Sequence, residues 1–523
     1  MKYLVNSAQM RECDRNTSEY YKVPSVVLME RAALAVAECV NEMLEEKGGT
    51  DRRILILCGT GNNGADGLAV ARLLYQQGYE VHIYQAGKNA RRSELHILQT
   101  EICQAYGMVY TDDVENCKYA MVVDALFGVG LSRELDAENQ TLTEKVNNLG
   151  CPVLSVDIPS GIHTDSGRIM GAAIKADVTV TFGFEKIGMY RYPGKLYCGK
   201  IRTAPIGITE ASFLGKMPQM ILAEEKDVAR WWPKRYPDGN KGTFGKVLIM
   251  AGQKDMAGAC ILAARSCYRM GAGMVQILTC EENREILQQS VPEALLTVLQ
   301  NDFTEKASQS VTWADVVVAG PGIGTGERSE KYLRGLIEAA KDKVLVLDAD
   351  ALNLLSTNQE LQNMIKSRKP GTTVLTPHPG ELSRLTGERI SVLKENFPAP
   401  VIDYAKKLQC IVVAKDAISA VVTPEGKIYL CDSGNDGMAT AGTGDVLAGM
   451  VGALCAGCVT QASRNAEKVS CEMAPFGLAE AVTAAVYMHG MAGTQASEEL
   501  TKEGVMAGDL ITYLPEVIRR IRQ

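Results

Sequence analysis

Three stretches in the first half of the chain combine glycine with oxygen-bearing side chains at the ends of strand-like runs. They are Gly59-Thr60-Gly61-Asn62-Asn63-Gly64-Ala65-Asp66-Gly67, Asp124-Ala125-Leu126-Phe127-Gly128-Val129-Gly130 and Asp157-Ile158-Pro159-Ser160-Gly161. In an open parallel sheet the C-terminal strand ends collect on one edge and ligands bind in the crevice there, so three such ends predict one shared pocket. The first stretch contains G-x-G-x-x-G, the dinucleotide fingerprint, between a strand and a helix. The carboxylate expected at the end of the next strand is missing, because that strand closes with Tyr84-Gln85 and its acid, Glu80, stands at its start. Ordinary binding of a redox dinucleotide is therefore not expected. Asn62, Asn63 and Asp66 read as groups aimed at a ligand, against the alternative of an Asn/Gly turn chosen for its backbone; Asp124 and Asp157 at matching strand ends favour the ligand. These side chains offer hard oxygen ligands without a cluster of carboxylates or histidines, which suits a monovalent or weakly held cation better than zinc. Lys186, beyond the strand that ends at Gly183, has two open readings: a group reaching the same edge, or an exposed loop lysine.

The second half repeats the arrangement with different chemistry. Ala441-Gly442-Thr443-Gly444-Asp445 precedes a helix of small residues from Val446 to Ala456. Free backbone N–H groups at a helix start, approached closely through glycine, form an anion site for phosphates. Asp445 in the first turn is either a favourable charge at the helix dipole or a general base beside a transferable phosphoryl group. The second reading is preferred because further glycine-rich strand ends accompany it: Gly320-Pro321-Gly322-Ile323-Gly324, Asp348-Ala349-Asp350-Ala351-Leu352-Asn353 and Thr376-Pro377-His378-Pro379-Gly380-Glu381. His378, set between two prolines, is expected to be fixed and accessible to solvent.

These groups require strands and helices to position them. Short β-branched runs, Gly-rich turns and helical stretches alternate, which predicts βαβ units and parallel sheets. Strands are expected at Arg53–Cys58, Glu80–Tyr84, Ala120–Asp124, Pro152–Asp157 and Asp177–Phe182, with a helix over Gly67–Gln77. After a mixed segment from Ile208 to Lys226 and an irregular one from Trp231 to Asn240, strands follow at Lys246–Met250, Met274–Leu278, Asp315–Ala319, Lys343–Leu347, Thr373–Leu375 and Cys410–Ala414. A helix over Cys260–Met270 and a hairpin turning at Pro424-Glu425-Gly426 complete the pattern. At 523 residues the chain exceeds one ordinary core. Its net charge of −7 supplies no basic face for nucleic acid or membrane. Apolar runs are strand-sized, so no membrane span is expected, and the N-terminus lacks a signal-peptide pattern. The 15 cysteines, odd in number and set in apolar segments, suit a reducing, cytoplasmic setting. Cys455 and Cys458 form a C-x-x-C with no second pair nearby, which favours packing over metal or redox chemistry.

In this order and spacing, N-N-G-x-D-G, D-A-L-F-G-x-G-L and D-I-P-S-G resemble the NAD(P)H-hydrate epimerase family. G-P-G-x-G, L-D-A-D-A-L-N, T-P-H-P-G-E and A-G-T-G-D resemble the NAD(P)H-hydrate dehydratases of the ribokinase-like fold. The resemblance implies a Rossmann-like three-layer αβα domain over residues 1–217 and a ribokinase-like αβα domain over 222–523. In the first it assigns Asn63, Asp124 and Ser160 to a potassium ion. It assigns Asn62, Asn63, Gly64, Ala65, Asp66, Gly128, Val129, Gly130, Leu131, Ser132, Arg133, Glu134 and Asp157 to the hydrated dinucleotide, with Asp157 catalytic. In the second it assigns Ala259, Gly322, His378 and Asp445 to the hydrate, with Asp445 catalytic, and Lys415, Asp416, Ala417, Ile418, Ser419 and Gly444 to the nucleotide. Two positions depart from the family: Ala65 stands where glycine is usual, and Asp416 follows Lys415 in place of glycine. A carboxylate facing phosphates is repulsive, so Asp416 is expected to turn away or meet a cation.

The implied activity is repair of NADH and NADPH hydrates, with R and S forms interconverted and the S form dehydrated at the expense of ADP with Mg2+. The expected partners are NADHX, NADPHX, ADP and a second copy of the chain, with no nucleic acid and no membrane. The alternative is a small-molecule kinase of ribokinase-like type fused to a Rossmann-like binding module. T-P-H-P-G-E and L-D-A-D-A-L-N argue against the kinase, and retention of Asp66, Asp124 and Asp157 argues against a module without activity.

Overall fold

Near-continuous runs of Val, Ile and Leu mark strands covered on both faces, and the strand cores Ile54–Cys58 and Val344–Leu347 are buried accordingly. The computed structural model describes residues 1–46, 52–87, 90–300, 302–467 and 476–523. The chain divides into one compact unit of Tyr3–Pro218 and another of Gln219–Gln523 with Met1–Lys2.

In the Tyr3–Pro218 unit, seven strands pair in the order Val109–Thr111, Glu80–Gln85, Arg53–Cys58, Met121–Ala125, Val153–Val156, Val178–Phe182 and Lys200–Ala204. Every pair is parallel. Sequence order reverses between Arg53–Cys58 and Met121–Ala125, the switch point at which such sheets open a crevice. Helices Ser25–Glu46 and Asn62–Gln76 bury Ala32, Val36, Leu68 and Val70 in one core with Ile54, Ile56 and Val123. Helix Ala137–Asn147 buries Leu142 and Val146 in a second core with Leu55, Leu57 and Val122. Because neighbouring strand residues contribute to different cores, the sheet is a middle layer between helices.

The other unit carries parallel strands in the order Leu295–Val298, Met274–Thr279, Lys246–Met250, Val316–Ala319, Val344–Leu347, Thr373–Leu375 and Ile411–Ala414. The hairpin Ser419–Val422 and Ile428–Cys431 then adds antiparallel strands, and Met220–Leu222 pairs parallel to Ile428–Cys431. Helix Thr443–Glu467 packs on helices Ala257–Arg269 and Leu478–Leu500 and on strands Lys246–Met250, Val316–Ala319 and Val344–Leu347.

Several expectations need correction. The first glycine-rich stretch is not a loop ahead of a helix at Gly67: the helix begins at Asn62, directly after Gly61, so Asn62 to Asp66 occupy its opening turns. The helix expected from Cys260 begins at Ala257. The segment read as mixed contains strand Met220–Leu222 and helix Glu225–Arg230, whose few residues give too little periodicity to recognise. Helix Thr443–Glu467 also contradicts the expectation that no apolar run reaches membrane length: Thr443–Arg464 is long and apolar enough, with mean hydropathy 1.6. Its apolar surface is taken up within the protein, with 72% of that window buried. Glycine makes this packing possible, since a Cβ on Gly449 would lie 2.0 Å from the Ala263 carbonyl oxygen and one on Gly452 2.6 Å from Val318. Cys455 and Cys458 are buried in the same helix, and burial pushes the Cys458 thiol up to about 11, which suits packing rather than reactivity.

Leu154 is fully buried at the centre of the first sheet. Leu154→Ala is expected to destabilise this unit by about 2–5 kcal/mol, read as a lowered urea midpoint for its unfolding.

Candidate functional site

The switch-point crevice of the Tyr3–Pro218 unit is a cleft of about 620 Å³ lined by Asn62, Asn63, Asp66, Gly128, Val129, Gly130, Leu131, Ser132, Arg133 and Asp157, among others. Ten of the expected residues thus come together there. Gly64 and Ala65 face the helix packing instead: Ala65 is fully buried, and a Cβ on Gly64 would lie 1.8 Å from the Gly59 carbonyl oxygen. The methyl at position 65 therefore points away from the cleft. Glu134 is exposed and lies outside the lining.

Asp124 and Ser160 lie buried rather than at the cleft surface. Asp124 Oδ1 accepts from Ser160 Oγ at 2.6 Å and from the Leu126 N–H at 3.3 Å; Oδ2 accepts from Ser155 Oγ at 2.8 Å and from the Ser160 N–H at 2.9 Å. Burial raises its carboxyl, and these hydrogen bonds oppose the shift. Among the described residues no lysine or arginine pairs with it, and the buried Nδ2 of Asn63 has no hydrogen-bond partner.

Lys186 is not an exposed loop lysine. It is fully buried, and its ammonium donates to Asp157 Oδ1, to Thr181 Oγ1 at 2.7 Å and to the Phe182 carbonyl at 3.3 Å. Asp157 has φ of +69°, a left-handed conformation that costs a non-glycine residue energy. The backbone turn and the lysine together fix this carboxylate at the cleft wall. Asp66 is raised well above the usual carboxylate range by burial, then by Asp157 and Asp14. Asp14, which the sequence reading missed, also lines the cleft; burial first, and Asp157 next, push it up to about 6, while Lys186 acts in the other direction. It lies in helix Ser7–Arg15, far in sequence from the strand-end motifs, so no motif pointed to it.

In the other unit the strand ends converge in the same manner. Lys415 Nζ lies 2.8 Å from Asp348 Oδ1 in a largely buried ion pair. Gly444 adjoins both, its would-be Cβ 3.6 Å from each of Asp348 Oδ2 and Lys415 Nζ. Asp445, in the first turn of helix Thr443–Glu467, is pushed up to about 6 by burial and by Asp348, with Lys415 opposing. Asp350 accepts from the Gly324 N–H at 2.9 Å. Ala349 between the two acids has φ of +48°, local strain of the kind concentrated at functional sites. Gly320 has φ of +128°, and a Cβ there would lie 1.8 Å from the Asp348 carbonyl oxygen, so neighbouring strand ends approach closely only through glycine. Gly322 and Ala259 are adjacent, 3.2 Å separating the Ala259 Cβ from a Cβ built on Gly322.

His378 has its side chain half exposed and caps helix Pro379–Thr386, with Nδ1 accepting from the Gly380 N–H at 3.0 Å. Glu381 closes the capping box by accepting from the His378 N–H at 2.8 Å, and burial pushes its carboxyl up to about 7. Asp416, Ala417 and Ile418 form the link between strands Ile411–Ala414 and Ser419–Val422. Asp416 meets a cation, Lys394 Nζ at 3.0 Å. His489, also missed from sequence, is buried with Nε2 2.9 Å from the Thr443 carbonyl, and burial lowers it to about 4, so it is a neutral donor to the helix start.

The comparisons extend over both units. Residues 247–516 match the family described as NAD(P)H-hydrate dehydratase, and residues 25–188 match the YjeF-related protein N-terminus. The bifunctional NAD(P)H-hydrate repair enzyme Nnr of Moorella thermoacetica is 32% identical over 550 residues, covering 100% of this chain and 97% of that protein. The protein of the same name from Coxiella burnetii is 34% identical and covers 98% and 99% respectively. A solved structure of the ADP/ATP-dependent NAD(P)H-hydrate dehydratase from Bacillus subtilis, co-crystallised with ATP/Mg2+, is 26% identical with a TM-score of 0.46, covering 57% of this chain and 97% of that one.

The geometry makes Lys186 the sole cation beside Asp157 among the described residues. Lys186→Met leaves a buried carboxylate unpaired and is expected to cost about 3–5 kcal/mol of stability. The double variant Lys186→Met with Asp157→Asn is expected to lose clearly less, because no charge is left uncompensated; urea unfolding of both variants checks this.

Proposed function

The chain belongs to the family of bifunctional NAD(P)H-hydrate repair enzymes, and on that basis we propose a division of labour between its two strand-end sites. The Tyr3–Pro218 unit interconverts the R and S hydrates of NADH and NADPH, and the larger unit dehydrates the S form with conversion of ADP to AMP and phosphate. The observation that carries the reading is that each unit holds its own lysine-paired carboxylate at a strand-end edge: Asp157 with Lys186, and Asp348 with Lys415 beside Asp445.

In the dehydratase unit, Asp445 takes the proton of the C6 hydroxyl as a phosphoryl group moves from ADP to that oxygen. Lys415, held by Asp348, offsets phosphate charge, and the glycine-flanked helix start at Gly444 offers backbone N–H groups to the phosphates. Electrons from the ring nitrogen then expel phosphate, and loss of a C5 proton restores the reduced coenzyme. Phosphate leaves more readily than hydroxide would. Mg2+ would enter with the nucleotide's phosphates, since no group of three or more His, Cys, Asp or Glu among the described residues offers a resident site. The Lys415–Ser419 segment and Gly444 serve the nucleotide, and Ala259, Gly322 and His378 the hydrate.

In the epimerase unit, the strained, lysine-paired Asp157 is the acid–base group. Asn63, Asp124 and Ser160 would hold potassium through their side-chain oxygens, supported by a buried carboxylate without a cation. The ion would supply positive charge beside the cleft. The free thiols of the described cysteines support a cytoplasmic setting, and a homo-oligomer belongs to the same proposal.

Asp445→Asn keeps the side chain's shape without its basicity and is expected to lower ADP-dependent dehydration roughly a hundredfold or more, leaving R/S interconversion intact. Asp157→Ala does the reverse: the S hydrate is repaired at the normal rate and the R hydrate only as fast as it epimerises spontaneously. Because Asp445 acts as a base with its carboxyl near 6, the wild-type dehydration rate falls as pH drops through about 6 and is level above it. Near-normal dehydration by Asp445→Asn would reduce this residue to a helix-start charge. Potassium is expected to accelerate R/S interconversion over sodium-only buffer, and equal rates in the two buffers would remove the ion from the epimerase site.

A further inference from the structure

Epimerising a hydroxyl-bearing carbon attached to a ring nitrogen by ring opening takes two proton transfers at different atoms. One group accepts the hydroxyl proton as the carbon–nitrogen bond opens, and another donates to the nitrogen that receives the bonding electrons. The resulting aldehyde turns its other face, and the same two transfers run backwards close the ring. No atoms are gained or lost.

Asp157 supplies one such group. Lys186 does not supply the other, because it is fully buried, does not line the cleft, and directs its three N–H bonds at Asp157, Thr181 and Phe182. It is a positioning residue. The cleft lining contains no histidine and no cysteine; its remaining titratable groups are Arg11, Arg133, Asp66 and Asp14. The arginine guanidinium carries only donors and no acceptor. Asp66 sits on helix Asn62–Gln76, where burial raises its carboxyl well above the usual carboxylate range. Asp14 comes from a different helix. Its helix, Ser7–Arg15, is anchored by buried Met10 and Cys13, yet its carboxyl faces the cleft without a hydrogen-bond or ion-pair partner among the described residues. A side chain held on a packed helix and left unpartnered beside Asp157 is placed for exchange with a ligand rather than for structure.

We propose that Asp14 is the second proton-transfer residue of the epimerase cleft, donating to the ring nitrogen while Asp157 accepts the hydroxyl proton, and exchanging roles on closure. The assignment rests on the epimerase reading of this unit. A carboxyl near 6 gives and takes protons with similar ease close to neutrality, in keeping with this role.

The test uses the full-length protein without ADP, supplied with pure R hydrate, and follows appearance of the S form by chromatography. Asp14→Asn is expected to lower kcat roughly a hundredfold, with KM changed less than about threefold. Asp14→Glu is expected to recover at least about a tenth of the wild-type kcat, because it restores an ionisable carboxyl. Asp66→Asn is expected to retain clearly more kcat than Asp14→Asn, and the reverse order would overturn the assignment. ADP-dependent repair of the S hydrate and the unfolding midpoint serve as controls and should not change in Asp14→Asn. A wild-type kcat in Asp14→Asn, a rise in KM alone, or equal losses in the Asn and Glu variants accompanied by a lowered unfolding midpoint would each overturn the assignment. Failure of the wild-type protein itself to interconvert the hydrates would instead overturn the epimerase reading on which it rests.

Discussion

Parallel strand pairing delivers the last residue of every strand to one edge of a sheet, and that edge is where backbone and side-chain polar groups leave the apolar layers. Both units depend on this constraint. Residues that are 33 or more apart in sequence, such as Asn63, Asp124 and Asp157, become neighbours because their strands are parallel and side by side. Gly320, Asp348, Thr376 and Lys415 in the other unit, 28 or more apart in sequence, are brought together in the same way. Glycine at these ends is required by spacing: Gly64 against Gly59 and Gly320 against Asp348 leave no room for a methyl group.

Concentrating carboxylates at one edge creates an electrostatic cost that each unit meets with a single lysine. Asp14, Asp66 and Asp157 crowd one another, and Lys186 holds only Asp157. Asp348, Asp350 and Asp445 crowd one another likewise, and Lys415 holds only Asp348. Asp14, Asp66 and Asp445, left without the lysine, are shifted upward by burial and by their neighbours, so each site combines an ion-paired acid with one that exchanges protons near neutrality. Backbone strain at Asp157 and Ala349 is stored at the same places.

Much of this was legible in the sequence because it is local. Strand runs such as Lys246–Met250 and Thr373–Leu375 carry β-branched and leucine residues bounded by glycine or proline, and they form strands with those limits. Gly444 and Asp445 sit at a helix start as their spacing indicates. Where the signal was short or competed with another, reading failed. Asn62 to Asp66 look like a turn by composition, yet helix packing against Cys58 and Ala125 draws them into the first turns. Helix Thr443–Glu467 has a membrane-like composition, and its surroundings, not its sequence, place it inside a globular unit.

Sequence by itself determined the α/β class, the two sets of strand-end motifs and the family, since each is written in contiguous residues whose spacing survives without knowledge of the fold. Tertiary structure decided which side chains face which cleft. It turned Lys186 from an ambiguous loop residue into the buried partner of Asp157, moved Asp124 and Ser160 beneath the cleft surface, took Gly64, Ala65 and Glu134 out of its lining, and brought in Asp14 from an N-terminal helix with no motif. The physical reason is that orientation and burial depend on what packs from distant parts of the chain, and a carboxylate or ammonium acquires its charge state and its partner only when that packing is complete.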